Sequence, residues 1–512
     1  MVNENNVVDG SRNRRYGVLI SYLYTVTQVI VNLVYVPLLL SNIGDSEYGL
    51  YQIVGSIMSY MVTLSTMFST GLSKQYCVAR AKSDTDAMEN ILFAGRALFT
   101  AGSVVAAMAC LFVIPAFRAI YSQSLTPSQL DESVLMFILL VCNLIVSMHN
   151  TISVTVISAN ENFVFLKSLQ LLFMVLQPIS IIIMMRWYPY AVTIVAVQFF
   201  LNLISASIQG AYSKFKLNAI VRKHGGCTKI IKQILVFSGS VMLVMIADQL
   251  FWRTNQLVLA FYGGAASVAA YAVAIQITNA YMPIGTAISS VFMPKIALLH
   301  AERQHERLSE LFTKIGKIAF YPLFLVLTGF FLYGKSFVDL WAGDAMSDAY
   351  AIAAILMIPL TVDLMQNIGL TILQVMDKYY FRGCVYLALA IANALIVYFI
   401  APHYGGFGAA VCSSVLMFIG NVLIMNIYYH FVAKIDIKSY WQGVLRIAAP
   451  LMLLFAVTAI GNRFFMITVD SFIELLICAI LYSAAYCFIA YRFSLSHVER
   501  KRLHEFIQAK IR

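Results

Sequence analysis

Residues Ala247–Gly264 read ADQLFWRTNQLVLAFYGG, and they fall in an apolar run from about residue 232 to about 261. An aspartate and an arginine inside such a run need an explanation. An ionisable side chain at mid-bilayer costs about 2.5–3.5 kcal/mol on insertion scales. Helical geometry shows that the two charges do not answer each other. Asp248 and Arg253 are five residues apart, about 500° of rotation and so roughly 140° in direction. The i,i+4 placement of a helical ion pair is missing. Gln249, Arg253 and Gln256 instead form one stripe at i, i+4 and i+7, and Asp248 and Asn255 form a second, about 100° away. Such a polar sector either lines a cavity or packs through interhelical salt bridges and amides.

The surrounding chain sets the context. Of its 512 residues, 61% are hydrophobic and 12% charged, with a mean hydropathy of +0.80. Apolar runs of about 20 residues recur from Tyr16 to Phe493, each long enough to cross a hydrocarbon core about 30 Å thick. Spans are expected at about 16–40, 48–70, 90–115, 133–158, 163–186, 190–212, 232–261, 266–292, 314–338, 349–373, 379–400, 406–429, 442–462 and 468–491. The fold class is therefore an all-α polytopic membrane protein with about fourteen transmembrane helices.

Charge gives the orientation. The N-terminus and the segments after even-numbered spans hold twenty-nine of the 35 Lys and Arg, and the opposite side holds Arg118, Arg186, Lys335 and Arg463. Arg96 and Arg253 remain inside spans. This bias places both termini in the cytoplasm. It also accounts for the net charge of +11 without a nucleic-acid partner. The outward loops are short, which leaves no room for the catalytic domain of a membrane glycosyltransferase or polymerase. No nucleotide-binding loop occurs. The eight cysteines are scattered without metal-like spacing and read as reduced packing residues. No enzymatic, metal or cofactor site is expected, although transport coupled to an H+ or Na+ gradient fits the plan.

The chain repeats itself. Gly44 stands seven residues before Tyr51 in GDSEYGLY, and Gly264 seven before Tyr271 in GAASVAAY. The offset is six spans, so the two copies share orientation. The expected layout is a cytoplasmic N-terminus (1–15), a first six-helix bundle (16–212), a cytoplasmic linker (213–231), a second six-helix bundle (232–429), two further helices (430–491) and a basic cytoplasmic tail (492–512). Two such bundles around a central cavity are the plan of an alternating-access transporter.

Several residues join the span-7 sector as candidates. Gln28 and Asn32 lie on one face of span 1, the repeat mate of span 7. Lys74 and Lys295 close the repeat-related spans 2 and 8, where cations suit either a phosphate at the cavity mouth or simple topology. Asp363, with Gln366 and Asn367 on the same face of span 10, suits a coupling-ion site or hydrogen-bonded packing. Asp248 is the other carboxylate available to a coupling ion. Arg96 near the start of span 3 is placed to snorkel, and His149 in span 4 has no evident partner in the sequence. The tail SHVERKRLHEFIQAKIR and the segment HAERQHERLSELFTKIGK read as basic amphipathic helices on an anionic leaflet.

The stretch YVPLLLSNIGDSEYGLYQIVGSIMSYMVTLSTMFSTGLSKQY resembles the first two spans of the polysaccharide transporter (Wzx-like) family of the MATE/MOP-type flippase superfamily. TNQLVLAFYGGAASVAAYAVAIQI resembles its seventh-span turn, with Asn255 where members often carry Asp. The resemblance implies a flippase of the bacterial cytoplasmic membrane. It would carry an undecaprenyl-pyrophosphate-linked oligosaccharide to the outer leaflet, with glycosyltransferases and a polymerase of the same pathway as partners. In that reading Arg253 meets the pyrophosphate or an acidic sugar. Gln249, Gln256, Asn255, Gln28 and Asn32 meet sugar hydroxyls, and Asp248 or Asp363 takes the coupling ion. An ion-coupled MATE-type exporter is less compatible with fourteen spans and an arginine in the cavity. A lipid II flippase would be expected to carry arginines in span 1, which has none between Tyr16 and Leu40.

Overall fold

The computed structural model describes residues 4–160, 162–223, 225, 227–289, 292, 296, 298–300, 302–376, 378–464, 469–494 and 500. The predicted amphipathic tail lies almost wholly outside them. The described chain is helical throughout, and ten of its helices are long and apolar enough to cross a membrane. Three elements are each two helices joined across a glycine corner, so the count of spans exceeds the count of elements. These are α1 (Glu4–Ala81), α6 (Cys227–Ser289) and α10 (Tyr379–Met417).

The corners show why glycine is needed. Gly44 has φ 75° and ψ 173°, and Gly264 has φ 68° and ψ −169°, a region of backbone space essentially closed to side chains with a Cβ. The internal repeat therefore extends to the torsion angles of its corner residue.

The chain divides into two compact units, Met1–Ala269 and Ala270–Arg512. The first arm of α6 groups with the first unit. That unit also holds α2 (Thr85–Tyr121), α3 (Pro127–Ala159), α4 (Phe163–Met185) and α5 (Ala191–Ala211). Its interior is apolar, with Leu50, Ile53, Val54, Leu72, Phe99, Ile194 and Val195 all fully buried.

Polar side chains supply what hydrophobicity cannot supply between helices already in lipid. Along the α3–α5 seam, Asn202 Nδ2 donates to Asn143 Oδ1 at 2.6 Å and to Ser147 Oγ at 2.8 Å. Asn150 Nδ2 donates to Gln209 Oε1 at 3.1 Å. At the opposite end of α3, a capping box joins Thr126 and Gln129, with Pro127 in the first helical turn. Gln129 Nε2 donates onward to Ser46 Oγ at 2.7 Å, which ties α3 to the Gly44 corner.

The second unit contains α7 (His305–Ala342), α8 (Asp348–Met365), α9 (Asn367–Val375), α10, α11 (Met425–Phe431), α12 (Ile437–Phe464) and α13 (Phe472–Ile489). The expected span 10 is broken at Gln366 (φ −95°, ψ 7°), which separates α8 from α9. Tight approaches lock the surroundings of this break. A Cβ on Gly369 would lie 2.6 Å from the Tyr429 ring, and one on Gly316 2.6 Å from the Tyr440 ring. In α12 and α13, Leu453, Val457, Ile460, Leu476, Ile480 and Leu481 are more than half exposed. They form an apolar surface suited to lipid.

Candidate functional site

The first arm of α6 is held by hydrogen bonds to its own backbone and side chains. Tyr60 OH meets Thr254 Oγ1 at 2.8 Å and donates to Gln249 O at 3.3 Å. Tyr121 OH donates to Leu257 O at 3.0 Å, and Ser124 Oγ to Phe261 O at 2.7 Å. Ser56 Oγ donates to Gln256 Oε1. These donors come from the second arm of α1 and from the end of α2, so α6 is fixed along several turns.

Within that frame the two stripes separate by role. Asn255 and Gln256 are buried, at 0% and 1% exposure. Both side chains lie inside the first unit and not on an open wall. Asp248, Gln249 and Arg253 are half-buried. Arg253 lies within electrostatic reach of Tyr51 and Tyr60, and among the described residues it forms no salt bridge. The buried atoms Gln249 Oε1 and Gln256 Nε2 carry no hydrogen bond. An arginine held among phenols and amides, with no carboxylate against it, keeps its charge available to an anion.

The other candidates lie apart. Gln28 is exposed and Lys74 is exposed. Lys295 and the side chain of Asn32 lie outside the described residues. Asp363 in α8 is engaged: Arg382 Nη2 stands 3.5 Å from its Oδ1. Arg382 lies over the Tyr386 ring at 5.3 Å and is 8% exposed. Gln366, on the same face as Asp363, donates through Nε2 to Asn426 Oδ1 at 2.8 Å. Asp363 and Gln366 are thus each engaged by a neighbouring side chain. Arg382, not singled out in the sequence, is a buried ion-pair residue. Its i,i+4 spacing from Tyr386 was the available signal.

At the start of α5, a carboxyl pair meets the helix end. Ala191 N–H donates to Glu47 Oε2 at 2.9 Å and Val192 N–H to Glu132 Oε1 at 2.8 Å. These are the first two amides of α5, which otherwise lack acceptors. Burial, reinforced by the adjacent Glu47 carboxyl and opposed by the Val192 N–H, pushes Glu132 up to about 7.

Taken together, the described residues make an all-helical, multi-pass membrane protein. Residues 15–300 match the model of the polysaccharide biosynthesis protein family. The chain belongs to that family. Its fold is similar to that of the lipid II flippase MurJ in an inward closed conformation, at 14% identity and a TM-score of 0.71, covering 93% of this chain and 99% of that one. It is similar to an inward-facing multidrug resistance MATE family transporter of the MOP superfamily at 16% identity and a TM-score of 0.60, covering 81% and 96%. A MOP superfamily transporter from Pyrococcus furiosus, described by the reverse polarity of its binding pocket, follows at 15% identity and a TM-score of 0.54, covering 85% and 96%. No curated protein matches the chain by sequence.

Proposed function

We propose that the protein is a flippase for an undecaprenyl-pyrophosphate-linked oligosaccharide, moving the repeat unit from the inner to the outer leaflet of the bacterial cytoplasmic membrane by alternating access. The observation that carries this reading is Arg253, a membrane-embedded guanidinium with no salt bridge among the described residues, flanked by Tyr51, Tyr60 and Gln249. Such a group suits a pyrophosphate or an acidic sugar and repels the cationic substrates of a drug exporter. The amides and hydroxyls around it suit a glycan. Membership of the polysaccharide biosynthesis family supports the same substrate class. Both termini are cytoplasmic in this reading, and glycosyltransferases and a polymerase act before and after transport. In this reading Asp248 or Asp363 serves coupling to an H+ or Na+ gradient.

The test is a deletion strain followed for lipid-linked oligosaccharide. Accumulation on the inner leaflet, reversed by the parent gene and not by Arg253→Ala, supports the proposal. Arg253→Lys is expected to retain part of the activity, because it keeps the charge and loses the bidentate fork. Normal surface glycan in the deletion strain, with only dye efflux reduced, overturns it.

A further inference from the structure

The first unit carries a cavity of about 380 Å3 at a cluster of helix ends, and Arg253 is not among the residues that line it. There α1 stops at Ala81, α2 starts at Thr85, α3 stops at Ala159 and α5 stops at Ala211. The turn between α1 and α2 is closed by Ser83 N–H donating to Arg80 O at 2.9 Å and Asp84 N–H to Ala79 O at 3.2 Å. Beyond α5 the chain folds back, with Ala219 N–H donating to Ser213 O at 3.1 Å. Residues 217–220 thereby become a wall of the cavity.

Helical spacing decides what faces inward. Tyr76 and Arg80 are i and i+4 on α1, and Thr85, Met88, Glu89 and Leu92 are i, i+3, i+4 and i+7 on α2. Each set therefore shares one face of its helix, and all of these residues line the cavity. Tyr76 is 5% exposed and Arg80 is half-buried. Among the described residues, neither the Tyr76 hydroxyl nor the Arg80 guanidinium makes a hydrogen bond or an ion pair. The two stand within electrostatic reach of each other. Asn160 lines the same cavity. Its Nδ2 donates to Val156 O at 2.8 Å, and its Oδ1 accepts nothing among the described residues.

A guanidinium and a phenol open to one cavity make an anion site, since both donate. The Glu89 carboxylate in the same cavity argues against a ligand that is only an anion. Glu89 is itself engaged, but a carboxylate offers about four lone-pair positions and can accept from a ligand ammonium as well. A cavity that keeps a cation and a carboxylate unpaired with each other fits a zwitterion. Met88, Leu92, Leu217 and Ile220 add an apolar wall, and Ile220 is 51% exposed. At the headgroup level, where membrane helices end, that wall suits the glycerol and first acyl carbons of a lipid.

We propose that this cavity binds the phosphoethanolamine group of a membrane lipid, in the inner leaflet on the orientation that the charges imply. The phosphate meets Arg80 and the Tyr76 hydroxyl, and the ammonium donates to Asn160 Oδ1 and Glu89. The proposal does not rest on the substrate assigned to Arg253.

Thermal stability of the delipidated full chain in detergent tests it, titrated with phosphatidylethanolamine, phosphatidylglycerol or soluble glycerophosphoethanolamine. Phosphatidylethanolamine is expected to stabilise at about a tenfold lower concentration than phosphatidylglycerol, the worth of one charge-assisted contact. Glycerophosphoethanolamine should act only at a higher concentration, and an effect equal to that of the lipid overturns the lipid as source in favour of a free phosphate ester. Arg80→Gln should weaken the effect of both lipids about tenfold, and Tyr76→Phe should weaken both by less. Glu89→Gln should remove the preference between them. Arg118→Ala, at the other end of α2, should change neither. Should a variant fold poorly, the ratio of the two lipids retained by the parent in native mass spectrometry gives the same ranking. Equal effects of the two lipids on the parent, or undiminished effects in Arg80→Gln, overturn the site. A preference that survives Glu89→Gln overturns the ammonium assignment.

Discussion

A methyl group on Gly49 would lie 1.8 Å from the carbonyl oxygen of Ala265. The stretch after the Gly44 corner and the stretch after the Gly264 corner therefore meet backbone to backbone. No side-chain rearrangement relieves that collision. Gly49→Ala is expected to destabilise by at least the 1–3 kcal/mol typical of overpacking (about that range), read as a lower melting temperature in detergent. Gly55→Ala, one and a half turns or so further along, meets nothing within 4 Å. It should be neutral or stabilising by up to about 1 kcal/mol, since alanine is the better helix former. Equal losses in the two variants would argue against the close approach.

The bond from Ser56 Oγ to Gln256 Oε1 predicts a coupled pair. Ser56→Ala leaves a buried amide oxygen without its donor, at about 1–3 kcal/mol. Adding Gln256→Met to that background should restore part of the stability, because an apolar group of similar size replaces the orphaned amide. A double-mutant cycle measures this. If Gln256 is a packing residue, Gln256→Met alone also retains transport, whereas Arg253→Ala does not.

Asp363 and Arg382 make a buried ion pair at 3.5 Å, so removal of either partner strands the other. Asp363→Asn and Arg382→Met are each expected to cost about 3–5 kcal/mol, and the double variant less than the sum. Denaturant or thermal unfolding in a fixed detergent gives the comparison. Additive losses would show that the two side chains are energetically independent.

Glu132 gives a pH dependence. Its carboxyl stands at about 7 in the folded chain, above its ordinary 4.5, so the fold favours the protonated form. The stability that it contributes is complete below about 4.5 and is lost as pH rises through about 7. At a half-exposed position the effect is on the order of 1 kcal/mol after screening. The melting temperature of the parent should fall between pH 5 and about 8.5, and that of Glu132→Gln should fall less. A parallel fall in both would assign the dependence to another group.

Much of this was legible in the sequence. Apolar runs and the lysine and arginine bias depend only on chain order, and the Gly44 and Gly264 corners carry their signal in a residue type with few substitutes. The polar sector of Asp248, Gln249 and Arg253 was likewise visible in helical arithmetic. Which amides face inward was not, since periodicity places Gln256 beside Arg253 but cannot show that Ser56 waits opposite. Arg382 was hidden for a related reason: a cation near a span end looks the same whether it meets the interface or an aspartate on another helix. His149 has no evident partner in the sequence, and only the packing of α2 against α3 brings Thr100 to it.

The division of the chain at Ala269 bears on how the protein is made and how it can be cut. Tyr60, Tyr121 and Ser124 find their acceptors on residues 249–261. When the first six spans have left the ribosome, those hydroxyls still lack partners. The first unit closes only after the polar arm of α6 has entered the membrane. A split placed in the 217–223 segment, attractive because it is a surface loop, would therefore yield an amino-terminal fragment missing one of its own walls. Co-expression of the two pieces would depend on the second fragment to complete the first.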